Sequence, residues 1–121
     1  MSNVIDLVNK DDWNEFRSQS AKELIVVKYS PRCGISKNIL RTIDIWAKRN
    51  KDNDSVKLAK VDVVNENEVS EVIADEFGIS HQSPQLIWFN SDMKIKNYYN
   101  HYEITAEVLN NISSKDEKGG N

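Results

Sequence analysis

Glu23-Leu-Ile-Val-Val-Lys-Tyr-Ser-Pro-Arg-Cys-Gly-Ile-Ser36 is the stretch on which the fold turns. Its first half, Glu23 to Tyr29, is a nearly continuous β-branched run, which predicts a strand buried on both faces and ended by Ser30 and Pro31. Beyond it, Ile35, Ile39, Ile43, Trp46 and Ala47 recur at helical spacing, predicting a helix that begins at Cys33 or Gly34. The stretch therefore reads strand, tight turn, helix, with the only cysteine of the chain at the turn.

The flanking sequence continues the alternation. Val4 to Val8 is apolar enough for an edge strand, and Asp11 or Asp12 suits the N-cap of a short helix carrying Trp13, Phe16 and Arg17. After the charged loop Asn50 to Ser55, Val56 to Val64 reads as a second internal strand. Val69, Val72, Ile73 and Phe77 then give an amphipathic helix, closed by Gly78 at the left-handed C-cap position. Gln85 to Phe89 is a strand, Asn90 to Asp92 a turn, Lys94 to His101 a hairpin partner, and Thr105 to Ile112 a last helix. Three βα units followed by a hairpin and a helix predict an α/β fold: a mixed sheet of four or five strands with helices on both faces, the thioredoxin-like architecture. Residues 1–113 are expected to form one domain, and the charged, glycine-ended residues 114–121 a disordered tail.

Composition narrows the function. The chain has 121 residues and a net charge of −3, which suits one compact domain and opposes a nucleic-acid partner, whose phosphates call for clustered excess cations. A single cysteine cannot form an internal disulfide, so a reducing, cytoplasmic setting is expected. No signal peptide is read at the N-terminus, where Asp6 interrupts Val4, Ile5, Leu7 and Val8. No window approaches the roughly 20 apolar residues of a membrane span, so no membrane partner is expected. A monomer is expected. His81 and His101 with one Cys make no zinc spacing, so no metal site is read.

Cys33 lies where open parallel sheets bind ligands, beyond the carboxyl end of a strand. Helix N-termini expose unpaired N–H groups and a partial positive charge, which favour a thiolate over a thiol. Between Leu24 and Ile43 there is no acid, while Lys28, Arg32, Lys37 and Arg41 give +4 in a chain that is negative overall. Such a patch lowers a thiol pKa and attracts anions. Ser36 stands three residues on, where a dithiol enzyme would hold its second Cys. Its hydroxyl can donate to the Cys33 thiolate but cannot attack a mixed disulfide, so the mechanism is monothiol: an external thiol must release whatever Cys33 accepts. A second constellation, His81-Gln-Ser-Pro-Gln85, precedes a strand. The Ser83-Pro84 bond there can be cis, leaving the Ser83 backbone open to a bound substrate, and His81 can hold a proton or a carboxylate near the thiol.

Cys33-Gly-Ile-Ser36, Gly78-Ile-Ser-His-Gln-Ser-Pro-Gln85 and His101-Tyr-Glu-Ile-Thr-Ala-Glu107 together resemble the bacillithiol-system redox-active proteins of YtxJ type, the monothiol bacilliredoxins. The resemblance spans nearly the whole chain up to the tail. It implies a thioredoxin fold, a low-GC Gram-positive source, and removal of bacillithiol from mixed disulfides on cytoplasmic client proteins. Bacillithiol would be a co-substrate, with no bound cofactor. On the family pattern Cys33 is the nucleophile, Ser36 with the Gly34 and Ile35 amides stabilises its thiolate, Ser83 and cis Pro84 align the substrate, and His81 is a polar neighbour. The chain departs from the pattern at Gly34, where the family commonly has Pro. From their charge, Arg32 and Lys37 are expected to favour the anionic malate end of bacillithiol.

Two other one-cysteine families share the turn. Monothiol glutaredoxins, which hold a shared [2Fe–2S] cluster, have a glycine-rich turn after the last strand, whereas this chain reads Tyr98-Tyr-Asn-His-Tyr102. Glutaredoxin-linked arsenate reductases use several Arg side chains, and no Arg follows Arg49. A non-enzymatic redox-sensing adaptor needs the same reactive thiol and is a further alternative.

Overall fold

The computed structural model describes the backbone of residues 4–119 and the side chains of residues 4–112. Its central strand is β2, Glu23–Tyr29. Successive side chains of a strand point to opposite faces, and both faces of β2 are covered. Leu24 and Val26 pack with Trp13, Phe16, Val69, Ile73 and Phe89 on one side. Ile25 and Val27 pack with Ile39, Ile43, Trp46, Trp88 and Leu109 on the other. A fully buried Val, Leu or Ile side chain stabilises by roughly 1.5–3 kcal/mol, so this unbroken apolar run anchors both halves of the core.

Five strands form one sheet in the order β1-β3-β2-β4-β5. β1 (Val4–Asp6) and β3 (Val56–Asp62) run parallel to β2. β4 (Gln85–Asn90) runs antiparallel to β2, and β5 (Ile95–Asn100) antiparallel to β4. The helices are α1 (Lys10–Arg17), α2 (Gly34–Arg49), α3 (Asn67–Phe77) and α4 (Ala106–Gly119). Tertiary registers bring three chain segments to one end of the sheet: Lys28 pairs with Gln85, and Gln85 with Asn100. The turn after β2, the loop before β4 and the corner after β5 therefore emerge side by side. None of the described helices is long and apolar enough to cross a membrane.

The boundaries differ from the sequence reading where short polar side chains compete for the backbone. Asn9, not Asp11 or Asp12, caps α1: its Oδ1 accepts from the Asp12 N–H at 2.9 Å, while Asp12 Oδ2 accepts from the Val8 N–H at 2.9 Å. β3 stops at Asp62 rather than Val64, because Asp62 Oδ1 accepts from the Val64 and Asn65 amides and bends the chain. Thr105 is the cap of α4 and not its first residue, its hydroxyl accepting from the Val108 N–H. α4 is assigned past Ile112 to Gly119. Lys115, Glu117 and Lys118 favour helix. The expected tail falls where side chains are not described, and residues 120–121 lie outside the described residues. Gly78 ends α3 with φ 64°, as its position after Phe77 predicts.

Candidate active site

Cys33 is the N-cap of α2, in extended conformation at φ −102° and ψ 126°, and its side chain is half-buried. Its N–H donates to the Ser30 carbonyl, and its own carbonyl accepts the first helical bond, from Lys37 at 3.1 Å. A cap side chain ordinarily accepts from the second and third helical amides. Those here belong to Ile35 and Ser36. The neutral thiol makes no formed cap hydrogen bond, sulfur being a weak acceptor until it ionises. The Ser36 and Ile35 amides nevertheless hold the Cys33 thiol below its ordinary range, outweighing desolvation, and the Ser36 hydroxyl adds to the effect. The Gly34 amide, expected to share in this, belongs to the first helical residue, one position before the two that a cap side chain ordinarily reaches.

Ser36 is fully buried. Its Oγ accepts from the Ser30 N–H at 3.1 Å, which leaves its hydrogen for the sulfur. One side chain thus ties the turn together and stabilises the thiolate. Gly34 is exposed, and a Cβ built there meets nothing within 4 Å.

The basic patch is smaller than the sequence suggests. Arg32, Lys37 and Arg41 are exposed, but Lys28 is fully buried and donates to the Ser70 carbonyl at 2.9 Å. Burial pulls its pKa from the usual lysine value to about 8, with Asp75 opposing. Arg32 also acts on Asp62. Burial works to raise that carboxyl, but the Asn65 amide and side chain, the Val64 amide and Arg32 together hold it below the usual range.

Ser83-Pro84 is a cis peptide. No hydrogen bond engages the Ser83 backbone among the described residues, and the Ser83 hydroxyl is buried without a partner. The Pro84 carbonyl accepts from the His101 N–H at 2.9 Å, and His101 itself sits at φ 51°, a left-handed conformation uncommon outside glycine. His81 lies in the loop before β4 and meets α3. Its Nδ1 lies 3.4 Å from Ser70 Oγ, and burial and Lys28 lower its pKa while Glu71 raises it. It lines a cavity of about 580 Å³ against α3, with Ser70, Glu71 and Asp75, which does not include Cys33. Among the described residues no three His, Cys, Asp or Glu side chains gather as metal ligands.

Gln85 closes the His81-Gln-Ser-Pro-Gln85 motif, and its residue type alone points to no role. It is fully buried, and its Nε2 donates to the Ser80 carbonyl at 3.0 Å and to Asn100 Oδ1 at 2.9 Å. Its Oε1 has no partner among the described residues. A buried unpaired acceptor costs about 1–3 kcal/mol. The available signal was a polar residue opening an otherwise apolar strand immediately after proline.

A mixed five-stranded sheet with one thiol on the N-cap of the helix after its central strand defines a thioredoxin-fold, single-thiol oxidoreductase acting on thiols and disulfides. Residues 5–109 match the family model described as monothiol bacilliredoxin BrxC. The chain belongs to the monothiol bacilliredoxin family. No curated protein sequence matches it. Among solved structures it is similar to a protein described as having a thioredoxin fold, at TM-score 0.78 and 22% identity over 90% of this chain and 92% of that one. It is also similar to Trypanosoma brucei brucei thioredoxin, at TM-score 0.72 and 20% identity over 96% and 91% of the two chains. For Fasciola hepatica thioredoxin the values are 0.70 and 18%, over 92% and 97%. At these identities the structures speak for the fold.

Proposed function

We propose that the protein removes bacillithiol from mixed disulfides on cytoplasmic client proteins, with Cys33 as nucleophile. The observation that carries this reading is the thiol itself: the only cysteine of the chain, seated where the Ser36 and Ile35 amides and the Ser36 hydroxyl favour its ionised form. The Cys33 thiolate attacks the bacillithiol sulfur of the client disulfide. A Cys33-bacillithiol disulfide forms, the client's S–S bond breaks, and the client sulfur leaves as a thiolate that takes a proton from solvent. With Ser36 in place of a second cysteine, release requires an external low-molecular-weight thiol. Its thiolate attacks the bacillithiol sulfur, carries it away as a new disulfide and returns Cys33 as thiolate.

Arg32 and Lys37, exposed beside the turn, offer positive charge to the anionic end of bacillithiol. Gly34, exposed and without a side chain, leaves room for the modifier above the helix. The unengaged Ser83 backbone beside cis Pro84 supplies a pairing edge for the client's chain, with His81 a polar neighbour on the same loop. Catalysis in this scheme uses no bound cofactor, and the protein acts as a monomer.

Reduced protein mixed with a bacillithiolated client and followed by intact mass tests the reading. The expected result is loss of one bacillithiol from the client and its appearance on the protein, with Cys33→Ala at least about 100-fold slower. A modifier that never reaches the protein, or that Cys33→Ala removes equally fast, would overturn it.

A further inference from the structure

From the hydrogen bonds of Gln85 we infer that this side chain is a positioning residue for the disulfide substrate, fixing the two loops that flank the cis Pro84 ledge. Ser80 belongs to the loop that leads into the ledge, and Asn100 to the corner that follows β5. The Gln85 Nε2 holds both, through the Ser80 carbonyl and Asn100 Oδ1. The corner is tied to the ledge a second time by the His101 N–H on the Pro84 carbonyl. It is closed on itself by the Asn100 N–H donating to Glu103 Oε1 at 2.7 Å, and the turn His101–Glu103 packs against α2, the helix that carries Cys33.

Glutamine is a poor choice for filling this position, since its Oε1 is left buried and unpaired. An apolar side chain would avoid that cost but could donate to neither loop. The two donations are therefore what the residue supplies. A peptide laid along Ser83 would take its height above Cys33 from the loop Gln85 holds. Gln85 is not among the groups that act on the thiol. Its effect is expected on the binding of an extended backbone and not on the ionisation of Cys33.

The inference rests on the reading of the Ser83–Pro84 ledge as the client's pairing edge, and the test separates the two. Reduced full-length protein, with free bacillithiol at fixed concentration as the releasing thiol, is given two mixed disulfides of bacillithiol, one with the cysteine of an extended octapeptide and one with 2-mercaptoethanol, which has no backbone. Wild type is expected to show the lower KM for the peptide. Gln85→Leu is expected to raise the peptide KM about tenfold with kcat within about twofold, and to keep the wild-type dependence of Cys33 alkylation on pH. Asn100→Ala removes one of the two acceptors from a half-buried position and is expected to raise the peptide KM by about threefold. A wild type that does not distinguish the two disulfides would remove the ledge reading and the inference with it. A wild type that does, beside variants whose peptide KM is unchanged or whose alkylation curve is displaced, overturns the inference alone, since core filling or support of the thiol would behave in those ways.

Discussion

Cys33 and Ser36 divide the work of the turn between a group that ionises and a group that cannot. The serine oxygen is held from behind by the Ser30 amide, so its hydrogen is directed and the sulfur gains a donor without a competing nucleophile. Ser36→Ala removes that donor and leaves the Ser30 N–H short of an acceptor. Its alkylation midpoint is expected to move up in pH, while the amides of Ser36 and Ile35 keep part of the effect, and the protein to lose about 1–2 kcal/mol of stability. Alkylation rate against pH and urea unfolding check the two parts separately. An unmoved midpoint would show that the hydroxyl serves the turn alone.

α2 accounts for most of what the site needs from an element. Its first turn carries no acid, and Lys48 and Arg49 lie in its last turn, so side-chain charge at the carboxyl end complements the dipole that faces Cys33. Gly34 is its first helical position, where proline is well accommodated. Cys33, the residue before it, is already extended, as a residue preceding proline must be, and nothing crowds the Gly34 side. Gly34→Pro is therefore expected to stabilise the fold by about 0.4–1 kcal/mol through the unfolded state. The amides that act on the sulfur remain in place, so the alkylation curve should stay where it is. A loss of stability in urea unfolding would count against the local geometry described for this turn.

Over the whole molecule, the sheet separates two cores, and the core against α3 holds a costly ammonium. Lys28 is pushed down to about 8 by burial, against roughly 10.4 for a lysine in an unfolded chain. Between these values the unfolded chain binds more protons than the folded one, so stability rises with pH across that window. Below about pH 8 both states are charged and the penalty is fully present. From the unfolded phenol value of 10.0, near the top of that window, the raised Tyr29 phenol acts in the opposite sense, its stabilisation being lost as pH rises further; burial is the main cause, with Asp62, Asp6 and Glu66 adding to it. Unfolding measured from pH 7 to 10 is expected to show the rise in wild type and to lose it in Lys28→Met. Methionine is also expected to be neutral or stabilising at pH 7, because it removes a buried charge whose recorded hydrogen bond is to a helix carbonyl.

Sequence alone determined the order of elements, the thiol's place at a strand-to-helix turn and the monothiol chemistry. These rest on local quantities: the β-branched run of β2, the helical spacing from Ile35 to Ala47, and a count of one cysteine. Element ends were less legible, since Asn9, Asp62 and Thr105 each compete for backbone donors within a few residues, and neighbouring polar side chains could do the same. Only the tertiary structure decided which polar residues share the site. Lys28 reads as one of a run of cations but turns into the core, and His81 meets Ser70 of α3. Gln85 reads as a strand residue yet holds two loops through acceptors 5 and 15 positions away. The physical reason is the pairing register: placing Lys28 against Gln85 and Gln85 against Asn100 fixes both the face each side chain occupies and the groups it can reach, and no local pattern carries that information.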